Sequence, residues 1–404
     1  MKKSVFAPAD ILLPRGNFES WSVIACDQFT SNEEYWEETA RLTAGVPSTR
    51  HMIYPEVYLG KSDAAAVTAS INAAMQEYLD RGVYTEYPDA LIYVERVQPD
   101  GRVRAGLVGA VDLDAYEYTE GSHAAIRATE KTVLERIPPR VEVRKNAPTE
   151  LPHVLMLLDD AERTVIEPLA VAARDGNMQT VYDFDLMQGG GHLTGYLVPR
   201  DMNADICARV EALGEKHGGM TMAVGDGNHS LATAKACRAL CPTEINRYAL
   251  CELVNIHSDA LSFEPIYRTV ENVDTDALLE AFLQYVSQNT NPANKTQTVT
   301  FVTRDARREI TVEQPPHALA VGTVQLFLDA YLPTLTGAVI DYIHGEDEVA
   351  AVVKKDNACG FLYDCMGKSE LFDAVEREGA LPRKTFSMGH ARDKRYYTEV
   401  RRIK

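Results

Sequence analysis

The chain has 404 residues, 45% of them apolar and 25% charged, a make-up that supports globular cores for two or three domains. Its formal net charge of −18 excludes an extended nucleic-acid surface, which gains affinity from excess Lys and Arg, and argues against an anionic membrane as partner. No apolar run approaches the ~20 residues that span a bilayer, so the expectation is a cytoplasmic protein whose partner is a small molecule, with a homodimer left open.

In chain order, "MKKSVFAPAD" carries two lysines with no apolar stretch behind them and does not read as a secretory signal. The seven cysteines include no CxxC, and Cys237 and Cys241 lack a nearby histidine to complete a zinc pattern, so free thiols in a reducing compartment are the simplest reading. "WSVIACDQFTSNEEYWEETARL" predicts a short strand over 21–26 and then a helix, with Ser31 and Glu34 as a capping box and Tyr35 and Trp36 as core anchors. A helix over 63–81 ends at Gly82, and "ALIYVERV" and "RVRAGLVGAVDL" form a hairpin across "QPDG".

The stretch "EGSHAAIRATEKTVLERI" stops at Pro138 and Pro139. "HVLMLLDD" is a buried strand and "ICARVEALGEKHGG" a helix ending in glycines, while "MQGGGHLTGYL" reads as an ordinary turn or a loop over a pocket. Further strands ("ALCELVNIHS", "TQTVTFVTR") and helices ("DTDALLEAFLQYVSQ", "TVQLFLDAYL") precede a basic stretch, "LPRKTFSMGHARDKRYY", with Arg383, Lys384 and His390. Interleaved but not strictly alternating signals predict a mixed α/β or α+β fold.

Two stretches carry chemistry. In "TMAVGDGNHSLATAKACRAL" an apolar strand stops at Gly225, Asp226 and Gly227, and a helix starts at Asn228, His229 and Ser230. Glycines let backbone amides approach a ligand, and a helix N-terminus favours an anion. His229 can donate to a phosphoryl oxygen, and Asp226 can hold Mg²⁺ or accept a proton. The plainer alternative is that Asp226 or Ser230 caps the helix. In "IRATEKTVLERIPPRVEVRKNAPT", Glu130 has the chemistry of a general base, and Arg127, Lys131, Arg136, Arg140, Arg144 and Lys145 could neutralise phosphate. A solvated helix face is the alternative there.

These stretches, with "FAPADILLP", "WSVIACDQFTSNEEYWEE", "SFEPIYRTV", "IDYIHG" and "LPRKTFSMG", resemble an uncharacterised bacterial and archaeal family called domain of unknown function 1015, over nearly the whole chain. The family forms of the two motifs, close to His-Glu-x-Thr and Asp-Gly-His-His-Arg, are similar to the pair that marks sulfiredoxin, the ParB partition proteins and ParB-like free-serine kinases. The resemblance implies a ParB/sulfiredoxin-like core over 121–250, between α/β segments at 1–120 and 251–404. It also implies that Glu130, followed by Thr132, deprotonates a substrate hydroxyl, and that Asp226, Gly227 and His229 lie on a turn holding the phosphates of ATP or ADP with Mg²⁺. Thr129, Asn228 and Ser230 depart from the pattern, and Ser230 stands where an arginine would grip phosphate. Arg127, Arg136 or Lys235 would have to replace that cation.

Two functions of different classes follow. One is a nucleotide-dependent phosphotransferase, kinase-like, acting on a hydroxylated metabolite. Glu130 would be its base, Asp226 would orient His229 or Mg²⁺, and Gly225, Gly227, Asn228, Ser230, Arg127, Thr132 and Arg136 would line the nucleotide site. The other is a non-catalytic nucleotide- or metabolite-binding protein, with a phosphate-ester hydrolase using the same pocket between the two.

Overall fold

The computed structural model describes residues 4–119 and 121–404. The apolar runs of the first 260 or so residues pair into one ten-stranded mixed sheet, built from strands on both sides of residue 120. Its strands are β1 (Phe6–Ala7), β2 (Ile92–Val97), β3 (Val103–Asp112), β4 (Tyr116–Glu117), β5 (Ile126–Ala128), β6 (Leu155–Leu158), β7 (Gln179–Leu186), β8 (Gly191–Leu197), β9 (Met222–Asp226) and β10 (Tyr248–Asn255). Their spatial order is β7-β8-β2-β3-β10-β6-β9-β5-β4, with β1 beside β3. β6 pairs in parallel with β10, β9 with β5, and β5 with β4; β6 and β9 run antiparallel.

The period-2 alternation of a strand sends neighbouring residues to opposite faces. Leu107 and Ala249 pack into one core with Met156, Met222 and the helical Val210 and Leu231. Their neighbours Val108 and Leu250 pack into the other, with Ile11, Trp36 and Tyr396. A sheet covered on both faces explains why its central strands read as continuous apolar runs.

By its contacts the chain forms two units, one running through Leu261 together with Gly389–Lys404, the other Ser262–Met388. The second unit has a six-stranded sheet and an aromatic core around Phe282, Phe327 and Phe361. There the fully buried Arg268 donates to the Arg383 and Lys384 carbonyls at 2.7 and 2.8 Å and to Gln325 at 3.0 Å. Arg383 and Lys384 therefore belong to this unit, and His390 to the other. No helix among the described residues is long and apolar enough to cross a membrane.

Three expected boundaries shift. Trp21 closes a short helix, Phe18–Trp21, and the strand that follows is only Val23–Ile24. The cap of the Glu33–Leu42 helix is Asn32, not Ser31, because it is the Asn32 side-chain Oδ1 that accepts the Tyr35 amide, at 3.0 Å. Pro138 and Pro139 start a helix, α1 (Ile137–Arg144), where missing amide protons cost nothing in the first turn.

The C-terminal segment returns to the first unit. Tyr396–Tyr397 pairs with Val23–Ile24, and Val400–Arg402 with Ala9–Pro14 and Thr149–Glu150. Its anchor is Arg395, almost wholly buried, which donates to Glu252 on β10 at 2.8 Å, to Glu399 at 2.5 Å and to the Pro152 carbonyl at 2.7 Å. Burial opposes the charge on Glu252, but Arg104 and Arg395 outweigh it and hold the carboxyl below its usual range. Replacing Arg395 with Met strips a guanidinium from two buried carboxylates and should cost about 3–5 kcal/mol in urea unfolding. A loss under about 1 kcal/mol would show that the segment is held by its strand pairings instead.

Candidate functional site

The glycine turn joins β9 to the helix α2 (Asn228–Leu240). Gly227 has φ +84°, and a Cβ there would lie 3.1 Å from the Val154 Cα and 3.4 Å from the His153 ring, so both backbone and space demand glycine. No side chain caps α2. The Asp226 Oδ1 accepts the Gly227 amide at 2.9 Å, and the Ser230 hydroxyl lies 3.2 Å from His153 Nε2. The capping alternative thus does not describe this turn. The amides of Asn228, His229 and Ser230 precede the first intrahelical bond, Leu231 N–H to Gly227 O at 3.0 Å, and stand at the positive end of the helix dipole.

The second stretch arrives alongside. Strand β5 runs parallel to β9 with Ala128 opposite Val224, and the Thr129 hydroxyl donates to the Val224 carbonyl at 2.7 Å. The half-buried Glu130 follows, two residues past the last paired position of β5. The backbone then crosses the start of α2, where the Val133 amide donates to His229 Nε2 at 3.3 Å. Burial, followed by the charges of Arg140 and Arg136, pushes the His229 pKa down to about 4. The ring is neutral at pH 7, and because Nε2 accepts, its proton sits on Nδ1.

The other expected residues have diverse surroundings. Gly225 is half-buried in β9. Thr132 Oγ1 and Asn228 Oδ1 are buried with no hydrogen-bond partner among the described residues. Arg127 is buried within β5 and donates to the Ala124 carbonyl at 2.9 Å. Lys235 is engaged by Glu117 at 3.2 Å and by the Tyr116 carbonyl. Arg136 is exposed at the start of α1, which packs on α2, and makes no ion pair among the described residues. Arg140 pairs with Glu56, and Arg144 with Glu150 at 2.5 Å.

Four contributors escape the sequence reading. Lys394 reaches the Asp226 carboxylate at 3.3 Å. His153 lies between Ser230 and Tyr397, whose hydroxyl is 2.8 Å from His153 Nδ1. Asp27 Oδ2 is 4.0 Å from His153 Nε2. Burial raises the Asp27 pKa, but His153, the Gln28 amide and Lys394 together bring it below the usual carboxylate range. Lys394 and Tyr397 stand in the basic stretch "LPRKTFSMGHARDKRYY" and Asp27 in "WSVIACDQFTSNEEYWEE", but no local pattern marks any of the four as a site residue.

The uncapped amides, the orphaned Thr132 hydroxyl and the cations Arg136, Arg140 and Lys394 suit an anion such as phosphate. Asp226 is a single carboxylate already bridged to Lys394, so Mg²⁺ would be carried mainly on the nucleotide phosphates and not in a protein cage.

The family described as "Protein of unknown function (DUF1015)" matches residues 7–331, and the chain belongs to that family. A comparison with curated proteins found no match. Among solved structures, a free serine kinase in complex with AMP is 10% identical with a TM-score of 0.39, covering 72% of this chain and 90% of that one. SbnI from Staphylococcus aureus, C-terminally truncated, is 12% identical with a TM-score of 0.38, covering 70% and 82%. A conserved hypothetical protein from Pyrococcus furiosus is 9% identical with a TM-score of 0.35, covering 70% and 90%. At these values the likeness carries no functional argument.

The site's electrostatics make a measurable forecast. The His229 ring should titrate by NMR with a midpoint near pH 4. An unfolded histidine titrates near 6.5, so between about 6.5 and 4 the unfolded chain binds a proton that the folded chain refuses, and stability falls as pH drops through that window. A midpoint at or above 6.5 would contradict a neutral His229. Gly227→Ala, strained in φ and in space, should cost roughly 1–3 kcal/mol of stability by thermal or urea unfolding.

Proposed function

We propose that this member of the DUF1015 family is a nucleotide-dependent phosphotransferase, kinase-like, that acts on the hydroxyl of a small metabolite. One observation supports the reading: the parallel pairing of β5 with β9 brings the stretch that carries Glu130 to the glycine turn, where the Val133 amide bonds His229 at the start of a helix that no side chain caps. The amides of Asn228, His229 and Ser230 receive phosphate oxygens of ATP or ADP. The neutral His229 donates Nδ1–H to one of them while Val133 holds its Nε2. Arg136 and Arg140 supply the charge that Ser230 lacks, and Lys235 is already committed to Glu117. Glu130 accepts the proton of the attacking hydroxyl. Phosphoryl transfer asks mostly for such positioning and charge neutralisation. The Lys394–Asp226 bridge favours a second reading, a non-catalytic nucleotide binder, because it ties up the turn's one carboxylate.

ATP and ADP, with and without Mg²⁺, should raise the protein's stability, by about 2.7 kcal/mol at a hundredfold excess over Kd. Glu130→Gln should leave that shift intact and lower turnover on hydroxylated acceptors roughly 10²–10⁴-fold. Binding without turnover in the wild type over a broad acceptor panel selects the binder. No stabilisation by any nucleotide refutes both readings.

A further inference from the structure

Strand β9 is flanked by β5 on one side and β6 on the other, and the β6 side carries a second set of reactive groups. Ser230 Oγ is 3.2 Å from Nε2 of His153, the residue two before β6. His153 Nδ1 is 2.8 Å from the Tyr397 hydroxyl, which also accepts the Cys26 amide at 3.2 Å. A phenol has one proton and two lone pairs. With the Cys26 N–H on one lone pair and the His153 Nδ1–H on the other, Tyr397 holds the His153 ring in one tautomer. His153 Nε2 is then bare and faces the Ser230 hydroxyl. The carboxylate of Asp27, 4.0 Å from that nitrogen, faces the imidazolium that forms once the proton is taken. Ser230 is half-buried and within reach of solvent, whereas burial and Asp27 push the Cys26 thiol up to about 12 and keep it protonated.

A nucleophile within hydrogen-bond reach of a base that a third group orients is the arrangement of covalent catalysis. We propose that Ser230 is a nucleophile with His153 as its general base, giving the turn a covalent phosphoryl-transfer activity toward phosphoesters or phosphoanhydrides. Ser230 Oγ attacks phosphorus and forms a P–O bond while its proton passes to His153 Nε2. The bridging P–O bond breaks, and the leaving oxygen takes that proton from His153. Water, deprotonated by His153 in turn, attacks the phosphoserine, releases phosphate and restores the hydroxyl. The nucleophile stands on the Ser230–His153–Tyr397 geometry alone. The substrate class rests on the phosphate-binding turn of the proposed function.

A fluorophosphonate probe tests the nucleophile without any nucleotide, since serine attack forms P–O and expels fluoride. Mass spectrometry should find one adduct, on the Ser230 peptide, absent from Ser230→Ala. His153→Gln should slow labelling roughly 10²–10⁴-fold. Tyr397→Phe, which removes the ring's orienting group and the acceptor of the Cys26 amide, should slow it less and decides the matter if the Gln variant does not fold. Wild-type labelling no faster than in Ser230→Ala, or variants of His153 and Tyr397 that label at the wild-type rate, would overturn the nucleophile. Acid quench after ATP or p-nitrophenyl phosphate should trap phosphoserine at 230. Probe labelling without phosphoserine removes the phosphoryl assignment, and labelling in a protein that no nucleotide stabilises separates this proposal from the nucleotide reading.

Discussion

The guanidinium of Arg395, buried between Glu252 and Glu399, is the constraint from which the site inherits its shape. It ties the C-terminal segment to β10, the strand beside β6. Arg104 adds a bond to the Asp393 carbonyl at 2.7 Å, and Arg96 adds bonds to the carbonyls of Arg392 and Lys394. A segment pinned at three successive carbonyls has little freedom to reposition its side chains. Its two neighbours of Arg395 that matter, Lys394 and Tyr397, thereby meet Asp226 and His153. Buried charges of this kind are costly to desolvate, and they persist when each is matched by an opposite charge or a carbonyl. Here Arg395 is matched by two carboxylates and the Pro152 carbonyl, and the segment beside it is held in place.

The turn itself is organised by what it withholds. Residues that would ordinarily cap α2 are turned elsewhere, Asp226 to the Gly227 amide and Lys394, Ser230 to His153. No side chain takes the first-turn amides. In a chain of net charge −18, an anion also needs local cations, and Arg136 and Arg140 supply them close enough to suppress the protonation of His229. Burial is the larger cause of the depressed His229, and the two cations that add to it would also draw a phosphate.

Two side chains with proton-accepting chemistry thus flank one end of β9. Glu130 lies two residues past the parallel neighbour β5, and His153 two before the antiparallel neighbour β6. Both reach the same end because a parallel strand ends, and an antiparallel strand begins, where β9 stops. Mixed pairing in the sheet is therefore what concentrates the chemistry, with the glycine turn between the two acceptors.

Much of this was legible in the sequence. Periodicity and turn residues act over a few positions, so the strand–glycine–helix unit around 220–240, the hairpin across "QPDG", the 63–81 helix and the mixed α/β class could all be read from local pattern. The order of the two motifs also suggested that Glu130 and the glycine turn belong together. What local pattern could not decide was each polar group's partner. Whether Ser230 capped its helix or faced His153 depended on the register of β6 against β9. The position of Lys394 depended on strand pairs formed across most of the chain, and Arg127 was buried in β5 where composition suggested a solvated face. Secondary structure follows from short-range sterics and hydrogen bonding that each residue carries with it. The partners of a side chain follow from long-range strand register and buried charge pairing, which only the tertiary structure decided.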